Sequence, residues 1–201
     1  MEAVALPSSL GVFIGRFQPF HLGHQFVVQE ALKKIDSLVL VIGSSNLEAS
    51  LKNPFTFAER KDLIQKNLEF FLPSSDLSRI HLIGVPDFPQ NNEKWMNAVQ
   101  QGVQTFSPSH GKISVIGHDK DESTYYLNLF KDFKNFDVML LNNYKDISGS
   151  KIREAYFPKD PVAWAQGLEE IRHHISPVTE KFLRNFQKTP EWGKILNGLT
   201  S

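Results

Sequence analysis

Short apolar runs rich in Val, Ile and Leu recur along the chain at 12–14, 38–42, 80–85, 113–116 and 138–141. Between them the apolar positions switch to a helical period, over about 22–35, 58–71, 93–106, 122–130 and 150–156. Strands that are apolar at nearly every position are covered on both faces, and strands that alternate with helices form a parallel sheet. The pattern predicts an α/β fold: a Rossmann-like, doubly wound parallel sheet of about five strands. In such a sheet, ligands bind at the carboxyl ends of the strands, where the strand order reverses.

The chain places its unusual residues where that rule expects them. Gly15-Arg16 follows the first run, Gly43-Ser44-Ser45-Asn46 the second and Pro86-Asp87 the third. Gly117-His118-Asp119-Lys120-Asp121 follows the fourth, and Asn142-Asn143-Tyr144, leading to Ser148-Gly149-Ser150, follows the fifth. Beyond 157 the pattern changes. Pro158-Lys159-Asp160-Pro161 interrupts it, a short helical stretch runs over 162–171, and Ser176-Pro177 reads as an N-cap with proline at the first position of a helix to about 186. Residues after Pro190 read as a tail without a clear role. The expected organisation is a nucleotide-binding core over 1–157 and a C-terminal helical extension over 158–201, packed on the same domain.

Composition narrows the classes of function. Lys plus Arg equal Asp plus Glu at 22 each, which argues against a broad nucleic-acid surface, although not against a local basic pocket. There is no cysteine, so disulfides and thiolate metal sites are excluded, and a cytoplasmic location is suited. No uncharged apolar run approaches the ~20 residues that span a bilayer, so no membrane role is expected. The first residues carry an acid and no basic segment before an apolar core, and read as a short leader rather than a signal peptide. The 16 phenylalanines are expected mainly to pack the core.

Chemistry concentrates first in Gly15-Arg16-Phe17-Gln18-Pro19-Phe20-His21-Leu22-Gly23-His24. A strand ends at a glycine and a basic residue, turns through Pro19, and opens a helix. Helix N-termini carry unpaired N–H groups and partial positive charge, a ready anion site. Gly15 and Gly23 remove side chains where a phosphate must approach the backbone. His21 and His24 are three apart, so on a helix start they point the same way and form, with Arg16, a donor cluster for a polyphosphate. A second cluster is Ser148-Gly149-Ser150-Lys151-Ile152-Arg153, where hydroxyls, helix N–H groups and a guanidinium can converge on one anion. Alone it reads better as a serine-capped surface helix, and only beside the first cluster does the balance turn to an anion site.

The first stretch resembles the His-x-Gly-His signature of nucleotidyltransferases, and its ten-residue form resembles the nicotinamide-mononucleotide (NMN) adenylyltransferase branch. The second resembles that family's Ile-Ser-x-Thr-x-x-Arg signature, with Ser150 where threonine is commoner. The resemblance implies catalytic roles for Arg16, His21, His24 and Arg153. It assigns ATP to Gly15, Phe17, Gly23, Lys52, Gly117, Asp119, Ser148 and Ser150. Lys52 precedes Asn53-Pro54-Phe55-Thr56, where Thr56 and Glu59 also read as a capping box and Arg60 as structural support.

The nicotinamide side is implied at Asp87, Asn92 and Trp95. An acid and amides can hydrogen-bond a carboxamide or ribose, and an indole can stack on a cationic pyridinium. Trp95 reads equally as core on an amphipathic helix, and the amide partner stays open between Asn91 and Asn92. The loop at Gly117-His118-Asp119-Lys120-Asp121 is most similar to adenylyltransferase domains fused in some relatives to a Nudix hydrolase, of which no box follows here. No protein-bound metal is expected from its closely spaced His and Asp.

The implied activity is transfer of AMP from ATP to NMN, giving NAD and pyrophosphate in NAD biosynthesis. Mg²⁺ would ride on the ATP phosphates. The rivals are an adenylyl- or cytidylyltransferase of the same fold with another phosphorylated acceptor, and a non-catalytic nucleotide sensor. The partners implied are the small molecules ATP and NMN, and a homo-oligomer is expected only from the resemblance. NMN and its deamidated acid are not separated by the sequence.

Overall fold

In a computed structural model, residues 9–106, 112–117, 130, 136–141, 144, 147–158, 160 and 163–200 are described. Five strands, β1 (Ser9–Gly15), β2 (Ser37–Ile42), β3 (Ile80–Gly84), β4 (Lys112–Gly117) and β5 (Phe136–Leu140), pair in parallel in the order β3-β2-β1-β4-β5. The first strand is central, and the order reverses between β1 and β4. The expected α/β architecture is borne out, with each apolar run inside or overlapping a strand.

The period of two along the central strands explains why both faces are covered. Phe13, Leu38, Leu40, Ile42 and Ile116 point to one side, against Val27, Val28 and Ala31 of α1 (Leu22–Leu32) and Leu63, Ile64 and Leu68 of α2 (Phe57–Phe71). Val12, Ile14, Val39, Val41 and Val115 point to the other, against Val99 and Val103 of α4 (Asn92–Gln104). A short α3 (Ser74–Leu77) precedes β3. The Thr56–Glu59 capping box forms as expected, with the threonine hydroxyl accepting from Glu59 N–H at 3.3 Å and the Glu59 carboxylate accepting from Thr56 N–H at 2.8 Å. The helix expected over 122–130 lies outside the described residues, apart from Phe130.

A second core gathers after the sheet. It joins α5 (Gly149–Tyr156), α6 (Trp164–Ile171), a 3₁₀ turn (Arg172–His174), α7 (Pro177–Phe186) and α8 (Pro190–Thr200). Ile152, Tyr156, Leu168, Leu183 and Phe186 pack there with Phe55 from the loop before α2. At Gly167 a side chain would collide with the Ala155 carbonyl at 1.9 Å, so its absence lets α6 lie directly on α5. Tyr156 donates to Leu183 O at 2.7 Å, and burial raises its hydroxyl pKa, keeping the proton on that donor.

The segment after Pro190 is not the tail the sequence suggests. It is a helix whose Trp192, Ile195 and Leu196 are buried in this second core. These positions follow a helical period, but Gly193 and Gly198 lower local helix propensity, and the burial partners are far away in sequence. No described helix is long and apolar enough to cross a membrane.

Candidate active site

The turn after β1 is built from its backbone outward. Phe17 takes a left-handed conformation, φ 52°, which a non-glycine residue adopts at some cost and which recurs at functional turns. Its ring is buried beside Phe13, Phe20 and His24, so what Phe17 can give a nucleotide comes from its backbone.

His21 is the N-cap of α1. Its Nδ1 accepts from Gly23 N–H at 3.1 Å, and His24 Nδ1 accepts from His21 N–H at 3.2 Å. The two rings stack at 3.7 Å. A ring whose Nδ1 accepts carries its proton on Nε2 when neutral, so the capping bonds assign Nε2–H as the donor side of both imidazoles. The expected shared orientation of the two histidines is present.

Gln18 is the residue that the sequence did not single out. It is 2% exposed. Its side-chain amide donates to Phe55 O at 2.9 Å and accepts from Phe55 N–H at 3.0 Å, tying the loop before α2 to the turn. Its carbonyl accepts from Arg153 Nη1 at 2.8 Å. Arg153 also donates to Ser150 Oγ at 3.1 Å, while Ser148 caps α5 by accepting from Lys151 N–H at 3.2 Å. A Cβ at Gly149 would stand 3.2 Å from the Gln18 carbonyl, so glycine permits this close approach. The two clusters recognised separately in the sequence are thus joined across the topological switch point, through one backbone carbonyl. The only sequence signal for Gln18 was its place in the ten-residue stretch.

Arg60 fastens the neighbouring strand ends. It is 1% exposed and donates to the carbonyls of Arg16 (2.8 Å), Gly43 (2.7 Å), Ser44 (3.0 Å) and Thr56 (3.3 Å). This matches the structural support expected of it. Arg16 is half-buried, and among the described residues its guanidinium makes one long hydrogen bond, 3.4 Å, to Asn53 Oδ1.

Burial, and then repulsion from Arg16, lowers the pKa of Arg153 to about 10, with Glu154 opposing. Burial also lowers Arg60 to about 10; Asp87 opposes it and Arg16 adds to it. Both remain cations near neutral pH. Three guanidiniums therefore surround one turn, with two carboxylates, Asp87 and Glu154, acting on them, so the site carries a net positive charge that suits an anion.

The remaining predicted residues are placed unevenly. Gly15 and Gly117 end β1 and β4 on the same sheet edge. Gly23 lies in the first turn of α1, under the His21 ring. Lys52 is exposed on its loop, and among the described residues no hydrogen bond or ion pair joins it to the cradle. Asp119 lies outside the described residues.

Asp87 accepts from Ser44 Oγ at 2.8 Å, and its N–H donates to Asn46 Oδ1 at 2.8 Å, so the loop after β2 fixes it. Asn91 and Asn92 are both exposed, and Asn91 caps α4 by accepting from Lys94 N–H at 2.8 Å. Trp95 is half-buried, edge-on to Phe130 at 6.2 Å and against the core of that face. Among the described residues, no three His, Asp or Glu side chains gather as a metal site.

Comparison with known proteins agrees with this geometry. The cytidylyltransferase-like family model matches residues 12–155. A nicotinamide/nicotinic acid mononucleotide adenylyltransferase of Acinetobacter baylyi is 38% identical over 146 residues, 73% of this chain and 74% of that protein. A bifunctional NMN adenylyltransferase/ADP ribose pyrophosphatase from Francisella tularensis superposes with a TM-score of 0.78 at 25% identity, over 96% of this chain and 54% of that one. This chain therefore spans about half the length of that bifunctional protein. A structure of such a bifunctional protein from the same organism, complexed with AMP and a Mn ion, matches with a TM-score of 0.77 at 24% identity, covering 96% of this chain and 53% of that one, a likeness of fold. A strand–turn–helix cradle at the switch point, a family model over most of the chain and a relative matched over most of both lengths lead to one conclusion: this chain belongs to the cytidylyltransferase-like family, within its nicotinamide-nucleotide adenylyltransferases.

Proposed function

We propose that this protein transfers the adenylyl group of ATP to nicotinamide mononucleotide, forming NAD and releasing pyrophosphate. The observation that carries the reading is the cradle in which Gly15–His24 and Ser148–Arg153 meet at the Gln18 carbonyl. A phosphate oxygen of NMN forms the new bond to the α-phosphorus of ATP, and the bond from that phosphorus to the oxygen bridging to the β-phosphorus breaks. The electron pair leaves on pyrophosphate. The nucleophile is already an anion, so no general base is needed, and catalysis is positioning and charge neutralisation.

In this reading the imidazole Nε2–H groups of His21 and His24 and the guanidiniums of Arg16 and Arg153 stabilise charge on the α-phosphoryl and the leaving group. Ser148, Ser150 and the N-terminus of α5 face the outer phosphates, and Gly15, the Phe17 backbone, Gly23, Lys52, Gly117 and Asp119 complete the ATP side. Asp87, Asn92 and Trp95 take the nicotinamide ribonucleotide. The donors of the cradle suit an anion, so Mg²⁺ enters as part of the substrate, on the ATP phosphates. A cytoplasmic location belongs to the same proposal and is suited by a chain without cysteine.

The test is direct. The protein is incubated with ATP and Mg²⁺ and, in separate reactions, NMN, nicotinate mononucleotide or a phosphorylated pantetheine. Pyrophosphate and the dinucleotide are then measured. The reading expects NAD from NMN. Product from the pantetheine acceptor and none from either pyridine nucleotide would overturn it, and no product from any acceptor would favour a sensor.

A further inference from the structure

The peptide unit between Phe20 and His21 is gripped at both of its polar ends. Its N–H donates to His24 Nδ1 at 3.2 Å, the bond that assigns the His24 tautomer. Its carbonyl accepts from Thr179 Oγ1 at 3.1 Å, across 159 residues of sequence. Phe20 precedes the N-cap, so this carbonyl has no place in the ladder of α1. Thr179 belongs to α7, outside every motif that suggested the site.

The protons around Thr179 can be counted. Asn67, in the middle of α2, donates one amide hydrogen to Leu63 O at 2.8 Å and the other to Thr179 Oγ1 at 3.1 Å. Asn67 Oδ1 accepts from Ser176 Oγ at 2.5 Å, and Ser176 Oγ accepts from Thr179 N–H at 3.1 Å. The Thr179 hydroxyl, having accepted from Asn67, has one proton to give. Phe20 O at 3.1 Å is nearer than Asn67 Oδ1 at 3.4 Å. With that assignment every polar hydrogen of the network has one partner. Thr179 is fully buried, Asn67 is 1% and Ser176 4% exposed, so no water competes for these bonds.

From this we infer that Thr179 is a positioning residue for the reaction. By fixing the Phe20 carbonyl, its hydroxyl sets the tilt of the Phe20–His21 peptide. The same peptide's N–H sets the tautomer and the aim of His24. Ser176 and Asn67 orient Thr179, so α7 and α2 together hold the histidine pair at the angle the transferring phosphoryl group requires. The inference rests on the adenylyltransferase reading for its effect on rate, but its effect on the imidazole stands without it.

The test compares Thr179→Val, which keeps the shape and removes the hydroxyl, with Thr179→Ser, which keeps the hydroxyl. Nitrogen-15 NMR of the imidazoles in the unliganded protein and steady-state NAD formation are both measured. Thr179→Val is expected to lower kcat on the order of tenfold with little change in either KM. It should also convert the His24 signal from the Nε2–H tautomer to a mixture, while Thr179→Ser restores both. If the valine variant does not fold, Thr179→Ala and Thr179→Ser form a pair differing by the hydroxyl alone and carry the same readings. A valine or alanine variant with wild-type kcat and an unchanged His24 spectrum would overturn the inference. A wild-type protein that makes no NAD would instead overturn the activity, leaving the imidazole spectra to decide the role of Thr179.

Discussion

The two sides of the site are made differently. On the phosphate side, buried groups are cross-tied before any ligand arrives: Gln18 to Phe55 and Arg153, Arg60 to four carbonyls, His21 and His24 to backbone N–H groups. On the acceptor side, Asp87 is anchored by Ser44 and Asn46, but Asn92 is exposed and Trp95 leans on the core. The turn before α4 also carries a left-handed residue, Gln90, at φ 58°. A polyphosphate is recognised by charge and N–H geometry that can be fixed in advance. Under the proposed function, the difference teaches that the half of the site assigned to catalysis is preorganised by burial, whereas acceptor choice is assigned to a more open edge.

The contrast predicts a graded set of outcomes. His24→Ala should lower turnover on the order of 10²–10³-fold while the protein stays folded, since it removes one preorganised donor. Near-normal NAD formation would end the catalytic role of His24.

Arg60→Met should act on the frame instead. It leaves several buried carbonyls without a donor and should cost about 3 kcal/mol of stability, read by denaturant unfolding. A small change would mean that the strand ends do not depend on this guanidinium.

Trp95→Ala sharpens the other side of the comparison. The KM for NMN should rise on the order of tenfold, as expected if a stacking partner worth about 1–2 kcal/mol is lost, with the KM for ATP nearly unchanged. Equal effects on both would make Trp95 a core residue and move acceptor recognition to Asp87.

The smallest effect concerns His81, on the edge strand β3 and stacked on Phe106 at 4.1 Å. Burial lowers its pKa from the ordinary 6.5. The unfolded chain therefore takes up a proton first as pH falls, so this contribution to stability is complete above about pH 6.5 and is lost on acidification through the folded pKa. His81→Phe should flatten the acid limb of the stability profile without changing NAD formation at neutral pH. An unchanged acid limb would show that His81 contributes nothing there.

The sequence was most legible where pattern and local chemistry coincide. Apolar runs located all five strands, and the glycines, histidines and serines after strand ends pointed to the switch point. Capping residues Thr56 and Ser176 could be read because caps depend on neighbours three residues away. Gln18 and Thr179 could not be read, because their meaning comes from partners 37 and 159 residues distant. The helix 190–200 was obscured by its two glycines, and its stability comes from burying Trp192, Ile195 and Leu196 rather than from propensity.

The link from Arg153 to the Gln18 carbonyl spans 135 residues, which has a consequence for biogenesis. As the chain leaves the ribosome, β1 and the histidine turn emerge well before α5 and α7, which complete their hydrogen bonding. At ≈ 5–20 residues per second, that interval is on the order of ten seconds or more. During it the Arg153 contact with the Gln18 carbonyl and the Thr179 network do not exist, so the turn lacks those two supports. The cradle around the Gln18 carbonyl is thus finished well after the motif that marks it has been translated.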